Sequence, residues 1–409
     1  MGALTGVRAI ELGDFQTAPG AGAILGDLGA DVIKIEDPMR GDSLRGLFAM
    51  GDTSMNIAEG RHLIFETANR SKRGITLDLK TDKGRELLHK LIDGADLFYT
   101  NYREKVLRDL GADYETLSKR KPLLVYGKID MYGIKGPMAE RRGYDFAGQA
   151  RSGLMWMMGD RDFPEPTLVY GSVCDETSAT MLAMGLITAL LSKERNGIGQ
   201  RVDVSLYGTM IHVQCAGINL TSIKGRGWAR HSRKRVRAPF SNYYKCADNK
   251  WILLIEPRPD EFWAGFARAL GRDDLVDNPK YNSAKAQREN YQEVIQTLDE
   301  AFATKSLDEW LKTFEEHGLD KAGFSYSPIF EYQDVINDPQ VWANDYLVEY
   351  DHPAAGPLKL VGYPMSFSET PAKIQREAPM HGQHTEEVLS ELCGLSWEEM
   401  AKLREEKVI

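Results

Sequence analysis

Six short, mostly apolar runs punctuate the first half of the chain: Gly6–Leu12, Asp31–Glu36, Arg73–Leu79, Asp96–Thr100, Leu123–Lys128 and Arg201–Leu206. Between them lie stretches in which apolar or small residues return every three to four positions, the signature of a helix with one buried face. These stretches are Ala18–Leu28, Thr81–Gly94, a short one near Phe146–Gly153, and a long one from Glu176 onward. Strand, helix, strand within about 30 residues is a βαβ unit, and its strands pair in parallel. Such units repeated over 200 residues predict an α/β fold, a large domain built on an open, mostly parallel, Rossmann-like sheet. Ligands of such sheets bind beyond the carboxyl ends of the strands, where the loops after Leu12, Thr100 and Lys128 gather.

The pattern then changes. Residues 224–237 carry seven Lys or Arg, read as a linker or exposed segment, with an anion site or a contact with an acidic surface as its candidate roles. Around Tyr243–Lys245, Trp251–Ile255 and the helices bearing Trp263 and Trp310, the chain has the texture of a small α+β domain. Proline-bearing loops and a polar helix near Thr385–Leu392 follow. The expected organisation is a large domain over 1–222, a linker and small α+β domain over 223–326, and a tail over 327–409 that returns to the large domain.

Composition narrows the possibilities. A chain of 409 residues with 42% apolar and 27% charged residues is of ordinary globular type. Its net charge of −9 argues against nucleic acid or an anionic membrane as a partner. No apolar run is long enough to span a bilayer, and no secretory leader is recognisable. The cysteines, Cys174, Cys215, Cys246 and Cys393, are scattered and suit a reducing, cytoplasmic setting. The eight histidines form no metal-binding spacing, so no metal site is expected; His381 and His384 read as a surface loop. No nucleophile-elbow or phosphate-loop motif occurs.

The candidate chemistry centres on Leu168–Leu191. The apolar run ending at Cys174 stops at Asp175, and the helix-like spacing begins at Glu176, so Asp175 is read as the cap of a helix, held ionised by the helix dipole. An ionised, positioned carboxylate is one form of nucleophile. Cys174 reads as a buried packing residue and Glu176 as a solvent-facing one. A second candidate is a dinucleotide site: Gly20, Gly22 and Gly26 with Glu36 imitate the glycine fingerprint and ribose-binding acid, though as G-x-G-x-x-x-G and well past the strand end. Close helix packing is the other reading of these glycines.

Several stretches taken together resemble the family III CoA transferases. They are Leu28–Glu36 with Gly41-Asp42 and Arg45, Asn69–Arg73 with Leu77–Lys80, Asp96 with Asn101–Arg103, Gly133 with Gly136-Pro137, Gly143–Asp145 with Gln149-Ala150, Asp175 ahead of Gly185–Leu190, and Ala378-Pro379 with Gly382–Thr385. The resemblance runs nearly end to end. It implies an enzyme that moves CoA from an acyl-CoA to a free carboxylic acid, with Asp175 as the nucleophile that forms first an acyl anhydride and then a CoA thioester. CoA would be a substrate, with no tightly bound cofactor. By position, Phe15, Gln16, Leu77, Lys80, Asn101, Tyr102 and Arg103 look like CoA-contacting residues, and charge adds Arg73, Arg108 and Lys135. The family also implies a homodimer whose two chains thread through one another like linked rings. Arg233–Arg237 with Pro239-Phe240 and Tyr243–Lys245 is similar to members acting on 2-hydroxy or aryl-alkyl acids. An acyl-CoA racemase of the same superfold is the alternative, which would need a histidine such as His212 beside Asp175; a nicotinamide-dependent oxidoreductase is the alternative of a different class.

Overall fold

The computed structural model describes every residue of the chain except Phe48. The chain divides into two compact units. The first comprises 1–155, 168–227 and 342–409; the second comprises 156–167 and 228–341. The second unit thus takes in, besides most of the segment 223–326, the short stretch Trp156–Thr167 and a continuation to Val341.

Six strands form the sheet of the first unit: β1 (Arg8–Leu12), β2 (Asp31–Glu36), β3 (Lys72–Thr76), β4 (Leu97–Thr100), β5 (Val125–Asp130) and β6 (Arg201–Ser205). Their spatial order is β6-β5-β4-β1-β2-β3 and every pairing is parallel. The order reverses between β1 and β4, so the loops leaving these two strands part and open a crevice at their carboxyl ends.

The strands read as nearly continuous apolar runs because both faces are covered. One face packs Ile10, Leu12, Ile33, Ile35, Ile75 and Phe98 against Leu87, Leu88, Leu91 and Ile92 of α2 (Asp82–Asp93). The same core takes Val388 and Leu389 of α10 (Thr385–Cys393) and Met400 and Leu403 of α11 (Trp397–Glu405). Each such buried leucine or isoleucine contributes roughly 1.5–3 kcal/mol. Past α11 the Val408 carbonyl accepts the Asp78 N–H at 2.7 Å. The other face packs Val32, Leu97, Val125 and Ile129 against α1 (Thr17–Asp27) and α4 (Val173–Asn196). Two further helices of this unit, α5 (Leu206–Val213) and α6 (Cys215–Lys224), follow β6; α6 buries none of its residues within the single chain.

Beneath α1 lies a buried cluster of charges. The Lys34 ammonium meets Glu11 at 3.0 Å and Asp42 at 2.8 Å, Lys72 meets Glu11 at 2.7 Å, and the Tyr99 hydroxyl donates to Glu11 at 2.8 Å. Glu11 is held near pKa 2: burial is the largest single influence and raises it, but the two ammonium groups and the hydrogen bonds from Lys72 and Tyr99 together outweigh it. This cluster explains the glycines of α1. A Cβ at Gly22 would stand 2.3 Å from both the Glu11 carboxylate and the Tyr99 hydroxyl, and one at Gly26 would stand 2.6 Å from the Ser71 carbonyl. Gly20 lies against Ala179 of α4. Glu36, the would-be ribose acid, is buried and pairs with Arg45 at 2.7 Å while accepting the Asp42 N–H at 2.8 Å. The glycine fingerprint is therefore a packing pattern, and the dinucleotide reading is withdrawn.

In the second unit, β7 (Ser241–Lys245), β8 (Trp251–Ile255) and β9 (Tyr326–Ile329) form an antiparallel sheet. Its core gathers Trp263 and Phe266 of α7 (Pro259–Ala269), Phe302 at the end of α8 (Tyr291–Phe302), and Trp310 and Phe314 of α9 (Leu307–Glu316). Part of the basic segment is tied down inside this unit. Arg233 pairs with Asp299 at 2.6 Å and Arg235 with Asp162 at 3.1 Å, while Arg230 stacks on Trp156 and donates to the carbonyls of Gly159 and Glu165. No helix among the described residues is long and apolar enough to cross a membrane.

Candidate active site

Asp175 lies at the crevice expected from the strand order, though not as a cap. Helix α4 begins at Val173, two residues before Asp175, and its N-cap is Ser172, which adopts φ 58°. Asp175 is the third helical residue and only 4% exposed. The cap function belongs to Asp145, at the start of α3 (Asp145–Arg151): its Oδ2 accepts the N–H of Cys174 at 2.6 Å and of Asp175 at 3.1 Å. Gln149, one turn on, donates to the Asp145 Oδ1 at 2.5 Å and exchanges hydrogen bonds with the backbone of Val169. Asp145 is thus fixed from both sides.

The expectation that Asp175 stays ionised is also corrected. Burial, the Asp145 carboxylate and the Glu176 carboxylate, in that order, push its pKa up to about 7. A helix terminus offers roughly 0.3–1 kcal/mol to a partly exposed anion, which does not offset near-complete burial beside two like charges. Among the described residues none donates a hydrogen bond to the Asp175 carboxyl. Cys174 is buried and its thiol is pushed up to about 12 by burial and the two aspartates, an inert packing thiol.

The cleft that holds Asp175 has a volume of about 400 Å³. Its walls are the loop after β1 (Asp14–Thr17), the loop after β4 (Asn101–Arg103), the end of β5 (Ile129–Met131) and Arg141–Tyr144 ahead of α3. Phe15, Gln16, Asn101, Tyr102 and Arg103 therefore stand in one cleft with Asp175. Asn101 ties two of these loops together, accepting the Asp14 N–H at 3.0 Å and donating to the Asp14 carbonyl at 2.6 Å. Gln16 reaches the first turn of α4, accepting from the Ser172 hydroxyl at 3.0 Å and donating to Glu176 at 2.9 Å. Glu176 is exposed, as the sequence suggested, but it is tied to Gln16.

A second cleft of about 350 Å³ adjoins the first and shares Asp14, Tyr102 and Val106 with it. Leu12, Ile35, Leu77, Leu79 and Leu110 form its apolar part, and its polar part holds Arg40 and Lys80 together with Asp14, Glu36, Asp37 and Asp78. Strand β3 stops at Thr76, three residues short of the predicted end, and that early stop places Leu77 and Leu79 in this wall. Lys80 is exposed and pairs with Asp37 at 2.8 Å.

Three candidates stand apart. Arg73 is buried on β3 and held by Asp31 at 2.7 Å, Glu391 at 2.6 Å and Glu387 at 3.0 Å; it lines neither cleft. A guanidinium so engaged is a structural tie between the sheet and α10, not a phosphate ligand. Arg108 is exposed and lines a neighbouring charged cleft of about 240 Å³, together with Arg103, Lys128 and Asp130. Lys135 is exposed in the loop after β5 and lines none of these clefts. Arg141, Arg142 and Asp145 had been given no role from sequence. The signal was the polar string around Gly143-Tyr144-Asp145, whose acid is buried only because α3 packs on the start of α4. His212 is exposed on α5, and no histidine among the described residues lines the Asp175 cleft, so the proton-abstracting pair of a racemase is not assembled there.

Comparison with known proteins agrees with this geometry. The chain is 32% identical over 408 residues to the (R)-2-hydroxy-4-methylpentanoate CoA-transferase of Clostridioides difficile, covering 99% of each. It is 33% identical over 413 residues to the cinnamoyl-CoA:phenyllactate CoA-transferase of Clostridium sporogenes, covering 99% of this chain and 97% of that one. Its fold matches the crystal structure of a CAIB/BAIF family protein from Brucella suis with a TM-score of 0.81 and 28% identity, over 96% of this chain and 99% of that one. The CoA-transferase family III pattern extends over residues 4–385, from the strand before the crevice to the helix that Arg73 ties to the sheet. The family pattern over nearly the whole chain and relatives of full length above 30% identity agree, and the chain is a CoA-transferase of family III.

Proposed function

We propose that Asp175 is the nucleophile of a transfer that passes CoA from an acyl-CoA donor to a free carboxylic acid. Its carboxylate attacks the thioester carbonyl, the C–S bond breaks, and CoA leaves as the thiolate, giving an aspartyl anhydride. The thiolate then attacks the aspartyl carbonyl and expels the donor acid as its carboxylate, leaving an aspartyl-CoA thioester. The acceptor carboxylate runs the two steps in reverse. One thioester replaces another, so no nucleoside triphosphate is required. The carrying observation is the position of Asp175: buried in a cleft at the β1/β4 switch, with no hydrogen bond on its carboxyl and a pKa raised to about 7. A more basic carboxylate is a better nucleophile than an ordinary one, and with a pKa of about 7 it is partly ionised at neutral pH.

In this reading the apolar slot of Leu77 and Leu79 takes the adenine end of CoA, Lys80 and Arg40 face its phosphates, and the chain passes Tyr102 and Arg103 into the cleft with Phe15 and Gln16. Apolar lining beside exposed cations suits a base and a phosphate together. For the acids we propose 2-hydroxy acids, because the two relatives named above carry 2-hydroxy-4-methylpentanoate and phenyllactate in their names. We further propose the interlocked homodimer, supported by α6, which buries nothing within one chain and exposes Ile223. A cytoplasmic setting fits four unpaired cysteines.

Intact-protein mass after incubation with a panel of acyl-CoA donors, followed by borohydride or hydroxylamine trapping and peptide mapping, tests the central step. A modification on the Asp175 peptide that is lost in Asp175→Ala is expected. Turnover retained by Asp175→Ala, or an adduct on another residue, removes Asp175 as the nucleophile.

A further inference from the structure

The buried charge cluster under α1 reaches the active-site cleft through the backbone of one loop. Lys34 is wholly buried and touches no cleft, yet its ammonium donates to the Gly13 carbonyl at 2.9 Å and pairs with Asp42 at 2.8 Å. Asp42 in turn accepts the Phe15 N–H at 3.2 Å and the Leu44 N–H at 2.9 Å on its Oδ1. One ammonium is therefore linked to the backbone on both sides of Asp14. The residue between these anchors and α1 is held in an unusual state: Phe15 has φ 64°, left-handed backbone that a residue with a side chain seldom adopts. That conformation sets the Phe15 ring edge-to-face with Tyr144, ring centres 5.7 Å apart, with both rings in the cleft wall. It also delivers Gln16 to Ser172 and Glu176, on either side of Asp175 in sequence.

We propose that Asp42 is a positioning residue for the transfer reaction, holding Phe15 and through it Gln16 in the geometry that shapes the acyl-CoA site, while its ion pair with Lys34 serves the stability of the core. The proposal rests on the reading of the Asp175 cleft as that site. The Phe15 tether needs an acceptor at the Asp42 Oδ1 position, whereas the ion pair with Lys34 needs the negative charge, so two substitutions separate the functions. Asp42→Asn keeps an acceptor of the same length and removes the charge. Asp42→Glu keeps the charge and displaces the acceptor.

The experiment is steady-state CoA transfer by the full-length enzyme, using a donor and acceptor that the wild type turns over, with thermal melting of each variant. The expected result is a rise in KM for the acyl-CoA on the order of tenfold in Asp42→Glu, the size of one lost hydrogen bond, with a smaller change in kcat. Asp42→Asn is expected to keep a KM near that of the wild type although its Tm falls. The reverse order, in which Asp42→Asn loses KM and Asp42→Glu does not, or KM unchanged in both, overturns the proposal and leaves the pair as a core ion pair only. Should Asp42→Glu not fold, Asp42→Ser, too short to reach the Phe15 amide, takes its place, with hydrogen exchange of the 13–17 peptide as the second readout; faster exchange with raised KM supports the tether, and unchanged exchange overturns it. Asp175→Ala assayed alongside keeps the two readings separate, since activity surviving there removes the nucleophile while the Asp42 variants still report on the loop.

Discussion

Asp145 and Asp175 are joined by one hydrogen bond: the Asp145 Oδ2 accepts the backbone N–H of Asp175, 3.1 Å away, and the N–H of Cys174 beside it. The group that caps the helix of Asp175 is therefore also a negative charge close to the Asp175 carboxyl. Capping stabilises the helix start by about 1 kcal/mol in typical cases, while the like charge raises the proton affinity of Asp175.

The pH dependence of transfer follows. In the proposed mechanism Asp175 attacks as its carboxylate, and its pKa is raised to about 7, so kcat/KM for the acyl-CoA should climb through neutral pH and level off above it. In Asp145→Asn an acceptor for the two N–H groups remains and the charge is gone. The midpoint of the profile should move to lower pH, though not to that of an exposed aspartate, because burial is the larger cause. A profile that stays in place would show that Asp145 does not tune Asp175.

Stability should respond in the opposite sense to activity. A carboxyl whose folded pKa is raised from 3.8 to about 7 binds its proton more tightly when folded, so the wild type is favoured in acid and loses that contribution as pH rises from about 4 to 7. Asp175→Asn has no such loss. Its stability relative to the wild type should improve across that window and then stay level, reaching on the order of 1–3 kcal/mol at pH 8. Urea melts of both proteins at pH 4.5 and pH 8 measure the difference; one that does not change with pH would place the titration elsewhere.

Arg73 and Arg103 should separate cleanly. Arg73→Ala removes the partner of Asp31, Glu387 and Glu391 and should lower stability by roughly 1–3 kcal/mol with KM for acyl-CoA little changed. Arg103→Ala, at an exposed side chain in the cleft wall, should leave Tm within a few degrees and raise that KM, less so at high salt. Melting curves and KM at two ionic strengths check both halves.

The sheet was legible in the sequence because parallel strands buried on both faces leave apolar runs, and Ile10, Ile33, Ile75 and Phe98 are such positions. The cleft was legible in part, since Asn101 and Gln16 follow strand ends and strand ends place ligands. The roles of Arg73 and Glu36 were not, because their partners, Glu387 and Glu391 for one and Arg45 for the other, are set by tertiary packing that charge alone does not reveal. The helix start was misjudged by three residues because the cap is supplied from Asp145, thirty positions upstream of Asp175, and a cap from outside the helix has no local spacing.

The hydrogen bond from the Asp78 N–H to the Val408 carbonyl has a bearing on how the protein is made. Asp78 lies between Leu77 and Leu79, which line the second cleft, and its anchor, Val408, is translated long after it. Met400 and Leu403 join the core under β1–β3 at the same late stage. A nascent chain therefore carries its central strands with one face covered by α2 alone until α10 and α11 have left the ribosome, and the wall of the second cleft is tied down only then.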